Sequence, residues 1–140
     1  MQIQTDWFRA AASPQARLAQ FGSMPAMTLV SLFAPRLQAE RTMGVDQTMA
    51  FYVSDTGEHV GIEIRRGVAQ ILNQAPDSPQ FTVGMAKAAL ARLVAGDATL
   101  AQLIETKAAT VTGDARGATT FMDYFDPPLR DWSDLHFTTQ

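Results

Sequence analysis

The 140 residues contain no cysteine, which excludes disulfides, thiolate metal sites and cysteine nucleophiles together. That absence fits a reducing compartment, and a cytoplasmic location is expected. Charge is also scarce, at 18% of residues against a usual figure of about 25%. Eleven Lys and Arg stand against 14 Asp and Glu, a net charge of −3. This acidic balance argues against nucleic acid as a partner, because phosphate affinity rests on clustered cations. Long apolar runs are missing too. The stretch from Met24 to Phe33 is broken by Pro25, Thr28 and Ser31, well short of the ~20 residues of a membrane span. The opening Met-Gln-Ile-Gln-Thr-Asp has no basic segment followed by an apolar one, so no secretory signal is expected. What is present is apolar: 46% hydrophobic residues, with seven Met and eight Phe. A chain so composed collapses into a globular domain, and its length fits one.

The hydrophobic pattern changes period along the chain. Trp7, Ala10, Ala11, Leu18 and Phe21 predict a helix over 5–21, with Pro14 a point where it divides into two. Leu29, Leu32, Phe33 and Leu37 predict a second helix from Pro25 to about Glu40, capped by Ser23 and kinked or broken at Pro35. Period two then takes over. Met49, Phe51 and Val53 alternate in 47–54, and Val60, Ile62 and Ile64 in 58–65, with Asp55-Thr56-Gly57 as the turn between them. Arg66-Gly67 leads to a third strand, Val68–Leu72, in an antiparallel meander; a fourth, Phe81–Met85, follows a Pro-rich loop. Helical spacing returns at 86–94 and stops at Gly96, after which Asp97 is read as the cap of a helix bearing Leu100, Leu103 and Ile104. Ala109–Thr112 is a fifth strand, and Gly113-Asp114 opens a last helix presenting Ala118, Phe121, Met122 and Phe125. The order α-α-β-β-β-β-α-α-β-α describes an α+β domain.

Candidate chemistry is sparse. His59 and His136 are the only histidines and share no ligand-spaced carboxylates, so neither a metal nor a cofactor is expected. Asp55-Thr56-Gly57 matches the catalytic triplet of aspartic proteases. Glu58 follows it where that chemistry wants a small residue, and the same three residues suit a hairpin. Gly96-Asp97-Ala98-Thr99 lacks the lysine of a phosphate loop. Tyr52 with Glu63 is the remaining acid–base pair to consider. Met27, Met43, Met49, Met85 and Met122 fall on or beside apolar stripes. Methionine re-packs easily, so these positions suit either an ordinary core or a pliable apolar cavity.

The pieces, in order, carry a resemblance. They are Met27-Thr28-Leu29-Val30-Ser31-Leu32-Phe33-Ala34-Pro35-Arg36-Leu37, Met49–Ser54 with Asp55-Thr56-Gly57-Glu58, and Ile62-Glu63-Ile64-Arg65-Arg66-Gly67-Val68. Leu90–Leu100 and Val111-Thr112-Gly113-Asp114 follow. Over residues 27–126 the chain resembles the C-terminal domain of alkyl sulfatases, a branch of the sterol-carrier-protein type lipid-binding fold. The resemblance implies a five-stranded, mainly antiparallel sheet with helices packed on one face enclosing an apolar cavity. It also implies a domain that holds an alkyl tail while a separate zinc domain, whose histidine-rich motif this sequence lacks, cleaves the sulfate ester. Residues 1–26 are then an N-terminal helical extension and 127–140 a C-terminal tail.

Carried onto matching positions, the cavity lining is Phe33, Leu37, Phe51, Val53, Met85, Leu90, Leu93, Leu103, Phe121, Met122 and Phe125. The expected function is non-catalytic binding or transfer of a fatty, alkyl or sterol-like molecule. Two alternatives stand beside it. One is a homodimerising or docking module, using Trp7 and Phe8 at one end and Trp132 and Phe137 at the other. The other is an accessory subunit presenting alkyl chains to a separate hydrolase. A small enzyme of the ketosteroid-isomerase type fits less well, since those chains end in long strands.

Overall fold

The computed structural model describes residues 14–128. The contact roles expected of Trp7, Phe8, Trp132 and Phe137, and the helix expected over residues 5–13, lie outside them, as does His136.

Alternating residues build the sheet. β1 (Asp46–Val53), β2 (Glu58–Arg65) and β3 (Val68–Leu72) form the meander, and β4 (Phe81–Met85) and β5 (Ala109–Thr112) complete a sheet of order β3-β2-β1-β4-β5. Every neighbouring pair is antiparallel except β1 and β4, which run parallel with Met49 opposite Phe81 and Val53 opposite Met85. A parallel pair needs a crossover, and residues 73–80 provide it across the outer face of the sheet. There Pro76 sits on Gly61, where an added Cβ would lie 3.2 Å from the proline ring. The β2–β3 hairpin turns on Arg66 and Gly67, both at positive φ (53° and 75°), the backbone a two-residue turn demands.

Met49, Phe51, Val53, Val60, Ile62, Ile64, Val83 and Met85 point to the inner face and are buried. The helices cover that face. They are α1 (Pro14–Gly22), α2 (Ala26–Ser31), α3 (Lys87–Ala95), α4 (Leu100–Glu105) and α5 (Ala115–Asp123). α2 lies on β2 and β3, α5 on β4 and β5, and α1 packs against α3. α5 approaches β4 closely at Gly117, where an added Cβ would stand 2.6 Å from the Phe81 ring.

Three local expectations need correction. The helix expected from Pro25 to Glu40 ends at Ser31 and gives way to 3-10 turns at Ala34–Arg36 and Ala39–Thr42. Pro35 has no N–H for the Ser31 carbonyl, so the chain tightens to i→i−3 bonds (Phe33 N–H to Val30, Arg36 N–H to Phe33) and Leu37 turns extended. Ser23 does not cap this helix; its hydroxyl donates to the Gln20 carbonyl, and Pro25 occupies the cap position. Likewise Thr99, not Asp97, caps α4. Its hydroxyl accepts from Gln102 N–H (3.1 Å) while the Gln102 side chain accepts from Thr99 N–H (2.9 Å), a capping box.

Candidate functional site

An apolar cleft of about 480 Å³ opens where α3, α4 and α5 meet the first 3-10 turn. Phe33, Leu93, Leu100, Met122 and Phe125 form its walls, with Pro127 and Pro128 at one side. Its shape follows from helix ends. Gly96 stops α3 in the left-handed conformation (φ +81°), and a Cβ there would come within 3.0 Å of Pro128. Phe125 packs at a tilt against Phe33 (centroids 5.5 Å apart) and Phe121 (6.0 Å), and Phe121 meets Phe81 of the sheet edge-on (6.1 Å). A line of aromatic rings thus ties the cleft wall to the core.

Four of the eleven expected lining residues, Phe33, Leu93, Met122 and Phe125, border this cleft. Phe51, Val53, Met85, Leu90, Leu103 and Phe121 are buried in the core behind it. Leu37 is half-buried and bridges backbone to backbone with Phe125. The sequence reading missed the polar members of the lining, Arg36, Thr99, Thr119, Asp123 and Asp126; of these Arg36 is the one cation. Its Nε donates to the Leu32 carbonyl (3.2 Å) and its Nη2 to the Val94 carbonyl (3.1 Å), near the C-terminal end of α3. The guanidinium lies over the Phe33 ring, 4.6 Å from the centroid. Burial draws its pKa below the ordinary arginine value, and it stays charged at neutral pH. Among the described residues no carboxylate lies within 4.0 Å of it. Asp123 and Asp126 stand on the cleft rim, exposed, and Asp126 accepts from the Gln38 amide at 3.0 Å.

A second polar cluster lies at the other end of α3. Lys87 Nζ is 3.0 Å from Glu58 Oε1 and donates to the Met24 carbonyl at 2.7 Å. Ala26 N–H donates to Glu58 Oε2 at 2.8 Å, and the Thr56 hydroxyl to Oε1 at 2.7 Å. The Ala26 amide first, then Thr56 and Lys87, hold the Glu58 carboxyl down at about 2. Asp55 Oδ1 accepts from Lys87 N–H (2.9 Å) and so satisfies a first-turn donor of α3 from a distant loop. Asp55-Thr56-Gly57 therefore forms a turn that also fastens α2 and α3.

The remaining candidates separate. Tyr52 stands opposite His59 and Glu63 opposite Thr48 on the outer sheet face, four residues apart, or roughly 13 Å along the strand. They form no acid–base pair. His59 is exposed and its ring lies 4.9 Å from that of Tyr52. Among the described residues no group of three or more His, Asp or Glu is placed to hold a metal, and no helix is long and apolar enough to cross a membrane.

The alkyl sulfatase C-terminal family matches residues 14–133. This chain belongs to that family. The match takes in α1, which precedes the segment of resemblance read from the sequence. Among solved structures, the stereoselective inverting sec-alkylsulfatase Pisa1 from Pseudomonas sp. superposes with TM-score 0.68 at 20% identity over 79% of this chain. The chain spans 18% of that enzyme's length. The palmitated SCP2L2 of Aedes aegypti matches with TM-score 0.54 at 13% identity, covering 71% of this chain and 93% of that one. A ubiquinone synthesis protein, UbiJ-SCP2, matches with TM-score 0.52 at 17% identity over 69% and 81% of the two chains. At such identities the likeness establishes the fold, which is that of the sterol carrier proteins. No curated protein sequence matches the chain.

Proposed function

We propose that this domain binds the apolar tail of an amphiphile in the cleft between α3, α4 and α5, without catalysing a reaction on it. The observation that carries the reading is the cleft itself. Its walls are Phe33, Leu93, Leu100, Met122 and Phe125, and its volume of about 480 Å³ lies within the range of ~300–1,000 Å³ usual for small-molecule sites. Phe33, Leu93, Met122 and Phe125 contact the tail; Phe51, Val53, Met85, Leu90, Leu103 and Phe121 seal the core beneath it, and Leu37 flanks Phe125. The palmitated relative and the alkylsulfatase support an aliphatic ligand, and a role presenting alkyl chains to a separate hydrolase follows from the same site. Absence of cysteine supports a cytoplasmic setting.

Magnitudes set the kind of binding. A twelve-carbon tail contributes about 9 kcal/mol at ~0.8 per buried CH₂, and association costs at least ~4. The net is weaker than micromolar and suits transient carriage. The test is native mass spectrometry of the purified protein beside its denatured mass, followed by titration with an alkyl ligand. Leu93→Trp fills the cleft and is expected to abolish binding, while His59→Ala, on the far side of the sheet, leaves it unchanged. Loss in His59→Ala with retention in Leu93→Trp moves the site to the outer face.

A homodimer is the second reading. Met43 and Val68, 61% and 63% exposed, lie beside the open edge of β3. Sedimentation of wild type and Val68→Glu separates the two, since only a dimer through that edge would dissociate.

A further inference from the structure

We propose that residues 124–128, which follow α5, are a gate on the cleft, and that a tail enters and leaves when they lift. This rests on the tail-binding reading above and adds how the site is reached. The segment runs along the cleft from one helix end to another. It leaves α5 at Asp123, pairs with the chain just after the first 3-10 turn, and reaches the end of α3, where Pro128 packs on Gly96. Phe125, Asp126, Pro127 and Pro128 all line the cleft.

Its ties are few and lie mostly at the surface. Gln38 N–H donates to the Tyr124 carbonyl (2.8 Å) and Asp126 N–H to the Arg36 carbonyl (2.7 Å). These are the two bonds of a single antiparallel bridge between Leu37 and Phe125. Side chains latch it from outside. Gln38 Nε2 donates to Asp126 Oδ1 (3.0 Å) and to the Asp123 carbonyl (3.3 Å), and Arg41 Nη1 donates to that carbonyl at 3.1 Å. Arg41 also lies over the Tyr124 ring, 5.0 Å from its centroid. All three latch bonds are exposed, so water competes for each. Pro127 and Pro128 have no N–H and add no donor. Within the segment only Phe125 is buried, against Phe33 and Phe121. A segment held by so few exposed bonds opens at less cost than unfolding the domain. Lifting it parts Phe125 from Phe33, two aromatic walls of the cleft.

Two measurements test this. Amide exchange of the full chain without ligand should show Gln38 and Asp126 exchanging together, faster than the paired amides of β1 and β2. Stopped-flow mixing with N-decyl dansylamide, a neutral alkyl probe that brightens in apolar surroundings, follows entry and exit. Gln38→Ala removes two latch bonds and no cleft wall. It should speed association and dissociation alike, about three- to tenfold, with affinity nearly unchanged. A passive wall would change dissociation alone. Leu37→Cys with Phe125→Cys supplies the opposite case. The two residues form a non-hydrogen-bonded pair, whose Cα atoms stand roughly 4.5 Å apart, a span that a disulfide bridges. The chain has no cysteine of its own to interfere. Oxidation should slow both rates by roughly tenfold or more relative to the same variant reduced. Exchange of Gln38 and Asp126 only together with the β1–β2 amides, or equal rates in the oxidised and reduced forms, overturns the gate and leaves tail binding standing. No binding of the probe to wild type overturns the tail-binding reading and takes the gate's role with it. Where the double variant folds poorly, wild type and Gln38→Ala decide.

Discussion

A cation stands at each end of α3, Lys87 of the helix itself and Arg36 of the first 3-10 turn, and the two ends treat it differently. At the N-terminal end Lys87 is provided with everything a part-buried ammonium needs: the Glu58 carboxylate, the Met24 carbonyl, and a loop that caps the helix beneath it. At the C-terminal end Arg36 has carbonyl oxygens and an aromatic face. Helix dipoles sharpen the contrast. A cation at a helix C-terminus is favoured and one at an N-terminus is disfavoured, so Lys87 depends on Glu58 while Arg36 stands without a carboxylate. A pair closed on itself is a fastening. A charge completed only by dipoles is a weaker tie.

The largest effect expected from this difference is on stability. Lys87→Met removes the ammonium from Glu58 and the donor from Met24, and should cost about 2 kcal/mol. This is below the ~3–5 of a fully buried pair because Glu58 is partly solvated. Urea unfolding reads it directly. An unchanged midpoint would mean that the fastening is ornamental and the comparison of the two ends is empty.

Sequence made the sheet legible because alternation is local. Met49, Phe51 and Val53 face one way in any strand, and Asp-Thr-Gly and Arg-Gly are turn chemistry wherever they occur. The parallel pairing of β1 with β4 was not legible, since it depends on where residues 73–80 carry the chain and no local period records that. The helix over 25–40 misled because Leu29, Phe33 and Leu37 keep helical spacing across Pro35, and spacing says nothing of the missing donor. Thr99 and Asp97 are both cap residues; Gln102, three places after Thr99, was the signal that decides. For the candidate site, apolar stripes told which residues point inward but not which inward residues reach a cleft. Arg36 was read only as part of an apolar helix. Its burial is set by the 3-10 turn and by Val94, 58 residues away.

Next in size is Glu58→Gln. The amide still accepts from Ala26 N–H, so the loss at neutral pH should be about 1 kcal/mol. The acid limb distinguishes it. The folded carboxyl titrates at about 2, below its unfolded value near 4.3, so the unfolded chain takes the proton first. Its contribution is complete above about pH 4.3 and is lost as pH falls towards 2. Wild type should lose stability over that window more steeply than Glu58→Gln. Parallel curves would show that Glu58 contributes nothing through its charge. Arg36→Met comes third, with a stability change under about 1 kcal/mol, because the two carbonyl bonds it gives up are offset by the desolvation it relieves. A loss as large as that of Lys87→Met would make Arg36 a fastening too.

The smallest effect is the most pointed. Asp123 is the last residue of α5, where a carboxylate opposes the helix dipole, and it stands exposed on the cleft rim. Asp123→Asn should therefore raise stability slightly, by roughly 0.3 kcal/mol. The gain should fade above ~0.15 M salt, where the screening length drops to about 8 Å. A gain that persists at high salt would assign the effect to packing at the end of α5; a loss at low salt would mean that Asp123, like Glu58, belongs to a fastening.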